Sequence, residues 1–102
     1  MNKFLVRYSR LVKGNFQDDL LEQVEVVKKH IEYIKKLDRK GAISLCGLFP
    51  NNDAILIINA KSYDEVESYL SKDPIIIKKY YEFTIEEFME ANEDNNWLLD
   101  DL

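Results

Sequence analysis

The 102-residue chain holds one cysteine and one histidine. A single thiol, Cys46, cannot form an internal disulfide, and a single imidazole, His30, cannot build the paired-histidine sites that zinc usually takes. Metal catalysis is therefore not indicated, and no cofactor is expected. Cys46 stands between Leu45 and Gly47 with no basic neighbour in sequence, and it reads as a small buried hydrophobe, not a nucleophile. Cationic excess is missing too. The 14 Lys and Arg against 19 Asp and Glu leave a formal charge of −5, which argues against nucleic acid, because phosphate binding needs a basic face. Long apolar runs are absent: the longest, Ala54 to Ile58, falls far short of the roughly 20 residues of a spanning helix. Arg7 ends the first apolar run too early for a secretory leader, so the expectation is a cytoplasmic protein without a membrane segment. Ser9 and Ser44 lie in plain alternating stretches, and neither occupies the sharp G-x-S-x-G turn of a serine hydrolase.

What remains is ordinary globular material, 46% hydrophobic and 32% charged, in a length that suits one core. Residues 3 to 12 alternate with the two-residue period of a strand, and Gly14-Asn15 breaks the run. Asp19 with Glu22 three positions on has the form of a helix start, and apolar residues at 20, 24, 27, 31 and 34 follow at helical spacing. Glu25-Lys29 and Glu32-Lys36 stand four apart on its outer face in the favourable order, and Gly41 closes it. Two strands, 42 to 49 and 53 to 60, flank the turn residues Pro50-Asn51-Asn52 and form a predicted hairpin. Ser62 and Glu65 open a second helix, which stops at Asp73-Pro74. After a connection at 75 to 79, Tyr81, Phe83 and Ile85 alternate with polar residues in a final strand at 80 to 88.

Strand, helix, strand, strand, helix, strand is the ferredoxin-like βαββαβ order of an α+β domain with a four-stranded antiparallel sheet. Both helices then cover one sheet face, and the other needs cover; in so small a chain a second copy supplies it, which predicts a homodimer. The domain spans 1–89. Residues 90–102 form an acidic tail with a small Trp97-Leu98-Leu99 cluster.

Asp73 poses a puzzle, since the end of a helix carries partial negative charge and is a poor place for a carboxylate. Pro74 pushes Asp73 into an extended conformation and fixes its direction. A partner elsewhere in the chain would explain the arrangement. The stretch KHIEYIKKLDRKGAISLCG resembles the helix and following strand of YciI-like proteins, and DPIII after SYDEVESYL resembles their Asp-Pro element. The likeness runs from about residue 20 to 88. It implies a dimeric α+β barrel in which His30 and Asp73 form the family's active-site dyad in a cleft near the dimer interface. The sequence departs from the family pattern at Ile75, Leu48 and Val27, where an aromatic residue, a proline and an arginine are common.

At 100° per residue, His30 sits roughly 60° to 70° to one side of the apolar stripe through 20, 27, 31 and 34, a boundary position. Taken alone it reads as a half-buried histidine with a satisfied hydrogen bond. Beside Asp73 it becomes a proton shuttle, with the carboxylate orienting the ring or taking a proton from substrate itself. Arg7, Ser44 and Gly47 are the candidate substrate-binding residues of the cleft. Tyr8, Tyr80, Tyr81 and Phe83 read as core and interface aromatics. Two functional classes fit: a small acid-base enzyme, of isomerase or lyase/dehydrochlorinase type, acting on a small ring or carbonyl compound, or a noncatalytic dimeric module that binds a small ligand or assembles.

Overall fold

Alternation places Phe4, Val6 and Tyr8 on one side of the first strand, β1 (Asn2–Arg10), and all three are buried. The computed structural model describes residues 1–11, 19–92 and 94; the expected break at Gly14-Asn15 and the Trp97-Leu98-Leu99 cluster lie outside them. Helix α1 (Leu20–Arg39) opens where the Asp19 carboxylate accepts the Glu22 N–H. It closes in a Schellman turn: Gly41, at φ 77°, bonds the Asp38 carbonyl and Ala42 bonds that of Leu37. Strands β2 (Ile43–Leu48) and β3 (Ala54–Ala60) form the expected hairpin, and α2 (Tyr63–Ser71) starts at the Ser62 cap. The connection is not all loop. Pro74–Ile77 make a one-turn helix, α3, before β4 (Tyr81–Phe88).

The sheet runs β2-β3-β1-β4 with every pairing antiparallel, the ferredoxin-like arrangement. One face carries Phe4, Val6, Tyr8, Leu56 and Ile58, packed with Val26 of α1 and Val66 and Leu70 of α2 into the core. Burying each such side chain contributes about 1.5–3 kcal/mol. The register puts Leu5, Arg7, Ile55 and Ile57 on the other face, which none of the described helices covers.

Three expectations need correction. Val24, Val27 and Ile31 do not lead into the core; each is 43–45% exposed. The inward face of α1 is instead Val26 and Leu37, buried, with His30, Tyr33 and Ile34 half-buried between them. The helix is turned because its polar groups have partners inside, and a satisfied hydrogen bond to a buried charge outweighs the exposure of one aliphatic side chain. Cys46 is exposed, because β2 is an edge strand. Such desolvation as its sulfur feels, with the Asp38 charge, pushes the thiol up and keeps it protonated. Asp73, finally, is no liability of α2. It is the N-cap of α3, where a carboxylate is favoured, and its side chain accepts the Ile75 N–H.

Candidate active site

Three elements converge on the Asp73 carboxylate, which is 0% exposed. From its own helix, Ile75 N–H donates to Oδ1 at 3.2 Å. From β1, the Tyr8 hydroxyl donates to Oδ2 at 2.8 Å. From α1, His30 Nδ1 lies 2.8 Å from both oxygens. A buried carboxylate that accepts a backbone N–H and a phenol has only lone pairs left to offer, so His30 presents Nδ1–H to it. No buried side-chain nitrogen or oxygen among the described residues lacks a partner.

That geometry fixes the other edge of the ring. Nε2 has no partner among the described residues, and since no unpartnered side-chain nitrogen is buried there, it reaches solvent. The His30 side chain is 22% exposed against 0% for Asp73. Of the two side chains only His30 reaches the surface, while the Asp73 carboxylate is enclosed by its hydrogen-bond partners. The Asp73 carboxylate holds the imidazole with Nδ1 inward and Nε2 outward.

Two phenols frame the pair. Burial, then the Asp73 charge and its hydrogen bond, drives the Tyr8 hydroxyl far above the usual phenol range, so Tyr8 is a permanent donor. Its ring stands 6.1 Å from that of His30, tilted 40°. Tyr33, one turn beyond His30, donates to the Tyr69 carbonyl at 2.6 Å, and burial and Asp73 again hold its phenol up. From sequence Tyr8 reads as a core or interface aromatic, with no partner assigned to its hydroxyl. The available signal was parity: it shares a side with Phe4 and Val6, and a buried phenol needs a partner.

The candidate substrate-binding residues are not brought to this site. Arg7 precedes Tyr8 and so points to the opposite face, where it pairs with Asp53 at 2.9 Å and covers the Phe49 ring at 4.3 Å. The Arg10 N–H, then the Arg7 guanidinium, hold the Asp53 carboxyl below the usual range. Ser44 joins Lys3 and Asn59 on that same open face. A Cβ on Gly47 would meet Ile55 Cγ2 at 3.3 Å, again on the open face. The described residues include no cluster of His, Cys, Asp and Glu able to hold a metal ion, and no described helix is long and apolar enough to cross a membrane.

No protein-family model matches the chain, and neither does any curated protein sequence. Among solved structures it is similar to 5-chloro-2-hydroxyhydroquinone dehydrochlorinase (TftG) from Burkholderia phenoliruptrix AC1100, in a complex with 2,5-dihydroxybenzoquinone. The TM-score is 0.65 at 20% identity, over 89% of this chain and 97% of that one. At that identity the likeness is one of fold, the α+β ferredoxin-like sheet with its helices on one face.

Proposed function

We propose that this chain is a YciI-like acid-base enzyme in which His30 moves a proton through Nε2. The observation that carries the reading is the division of the imidazole: Nδ1 is committed to a buried carboxylate at 2.8 Å, and Nε2 is left to solvent. A neutral ring in that tautomer accepts a proton at Nε2, and the imidazolium so formed lies against the Asp73 charge. In an elimination, Nε2 takes a proton from carbon, the C–H electron pair becomes a new π bond, and the leaving group departs with its electrons from the adjacent carbon. In an isomerisation, the same proton returns to a different atom. Both reactions run on proton transfer alone, which is what the described side chains supply.

The dehydrochlorinase of the same fold, seen with 2,5-dihydroxybenzoquinone, supports a small hydroxylated ring or carbonyl compound as substrate, chlorinated in the lyase case. The uncovered sheet face supports a homodimer, with the open faces of two copies packed together. Arg7, Ser44 and Gly47 then belong to that interface; they do not line the His30 site.

Two measurements test this reading. Nitrogen-15 NMR of the single histidine is expected to find Nδ1 protonated and Nε2 bare in the neutral ring; the opposite tautomer ends the shuttle role. A screen of small carbonyl, lactone and chlorinated phenolic compounds is expected to yield turnover that His30→Ala lowers by ~10² to 10⁴, the usual range for a general acid-base group. Turnover untouched by that change removes His30 from the reaction, and turnover on none of the compounds favours the noncatalytic ligand-binding module.

A further inference from the structure

The two edges of the sheet are unlike. β4 carries Glu82, Glu86 and Glu87, charges of the kind with which an edge strand resists further pairing. β2 carries none. Its Leu45 and Leu48 are 49% and 79% exposed, and Cys46 between them is exposed as well. The backbone of β2 is only half used. Phe49 donates its N–H to the Asp53 carbonyl, and the same register runs on through Gly47–Ile55 and Leu45–Ile57. By the alternation of an antiparallel ladder, Cys46 and Leu48 then turn their N–H and C=O groups away from β3, to a side where no described strand lies. A second apolar row overhangs this edge. Val27 and Ile31, 43% and 45% exposed, stand seven residues before Ile34 and Asp38 and so on the same side of α1, and Ile34 and Asp38 line a hollow of about 230 Å³ beside β2.

We infer that this edge pairs with β2 of a second copy of the chain, antiparallel, about a two-fold axis through Gly47. Two donors and two acceptors in a row on an uncharged strand ask for another extended backbone, not for a helix or a small ligand. The edge is complementary to itself. With the axis at Gly47, Cys46 of one copy stands opposite Leu48 of the other, and each such pair exchanges both of its bonds, which satisfies all four groups on each chain. An axis at Cys46 would instead set Leu48 against Ser44, where the register shift between Ile43 and Leu45 interrupts the ladder. Glycine suits the axis. Gly47 and its symmetry mate form a non-hydrogen-bonded pair, the closer kind at about 4.5 Å between Cα atoms, and neither brings a side chain there.

The side chains agree with this register. Cys46 pairs with Leu56 and Leu48 with Ala54, so both lie on the helix side of the sheet, and Leu48 of each copy comes to rest over Cys46 at the mouth of the other copy's hollow. The same axis sets the two α1 helices antiparallel with their exposed stripes turned toward each other. This edge contact is distinct from the packing of open sheet faces and adds to it. It is the smaller of the two, so it forms at the higher concentration.

Cys46 is the only cysteine, so a thiol crosslink reports the contact directly. In the paired edge the two Cys46 Cα atoms stand ~8 Å apart, within reach of a short bis-maleimide, whereas in the face-to-face packing they lie on the outer sides of two sheets ~10 Å apart and point away from each other. The full chain is expected to be crosslinked through Cys46, and sedimentation equilibrium is expected to show the mass of the dilute species doubling as concentration rises from the micromolar toward the millimolar range. Leu48→Lys, at a position already exposed in the single chain, is expected to abolish the doubling and lower crosslinking several-fold, whereas Ile77→Glu, 62% exposed on α3, leaves both unchanged. Crosslinking that Leu48→Lys leaves untouched, or an unaltered chain that neither crosslinks nor doubles at any concentration, overturns the inference. The mass of the dilute species is read in the same series, so loss of the edge contact is told apart from failure of the face-to-face dimer.

Discussion

Tyr8 and Asp73 show how two residues of unremarkable sequence context make one site. Each alone is a burden: a phenol and a carboxylate, 1% and 0% exposed, would cost several kcal/mol unpaired. Together, with the Ile75 N–H and His30, they satisfy one another. Removing the Tyr8 hydroxyl leaves a buried carboxylate one donor short, so Tyr8→Phe is expected to lower unfolding stability by about 1.5–3 kcal/mol in denaturant titrations. The pH dependence has a definite sign. With its folded pKa raised above an unfolded value of about 10, the Tyr8 phenol contributes stability that is fully present below pH ~10 and is lost as pH rises further, because only the unfolded chain releases the proton. Alkaline titration by ultraviolet absorbance is therefore expected to show this phenol ionising only as the chain unfolds, and a free titration near pH 10 of all the tyrosines would contradict its burial. His30 and Asp73 are legible in the sequence as candidates through the resemblance, Asp73 also through the proline that follows it. Tyr8 was not, because a strand reveals which side a residue faces but not what waits there.

At the scale of elements, the ends were more legible than the faces. Asp19, Ser62 and Gly41 all act as their types suggest, because capping is settled by bonds within a few residues. The short helix α3 was missed, since four residues carry no period to read. Its C-terminus repeats the turn that closes α1: Lys79 bonds the Ile76 carbonyl and Tyr80 that of Ile75. Here, however, the left-handed position at φ 61° is filled by Lys79, not glycine. A side chain in that conformation costs ~1–2 kcal/mol, part of which glycine gives back as unfolded-chain entropy. Lys79→Gly is expected to raise stability by about 0.5–1 kcal/mol in thermal or denaturant melts; a loss would mean that the lysine side chain holds a contact stronger than the strain. The rotation of α1 is the more instructive difference. Its apolar period marked a stripe correctly, but the same helix has a second inward candidate in Val26, His30, Tyr33 and Leu37, and hydropathy ranks aliphatic positions above polar ones that carry a partner.

For the whole molecule, one bare sheet face dominates what is expected in solution. Leu5, Ile55 and Ile57 form its half-covered centre, and Leu45 on β2 is 49% exposed. Sizing is expected to give a dimer at micromolar concentration, and Leu45→Glu, which leaves the core of the single chain untouched, is expected to weaken it; a monomer in the unaltered protein would remove the two-sheet proposal. By itself the sequence determined the order of the four strands and two long helices, the antiparallel βαββαβ sheet and the caps, because alternation, capping and chain order are local and each leaves a mark within a few positions. Only the tertiary structure decided that α1 turns His30 inward and Val27 outward, that Arg7, Ser44 and Gly47 lie across the sheet from it, and that Tyr8 completes the Asp73 cluster. Those outcomes depend on groups 43 and 65 positions apart satisfying a common buried charge, and no window along the chain contains that balance.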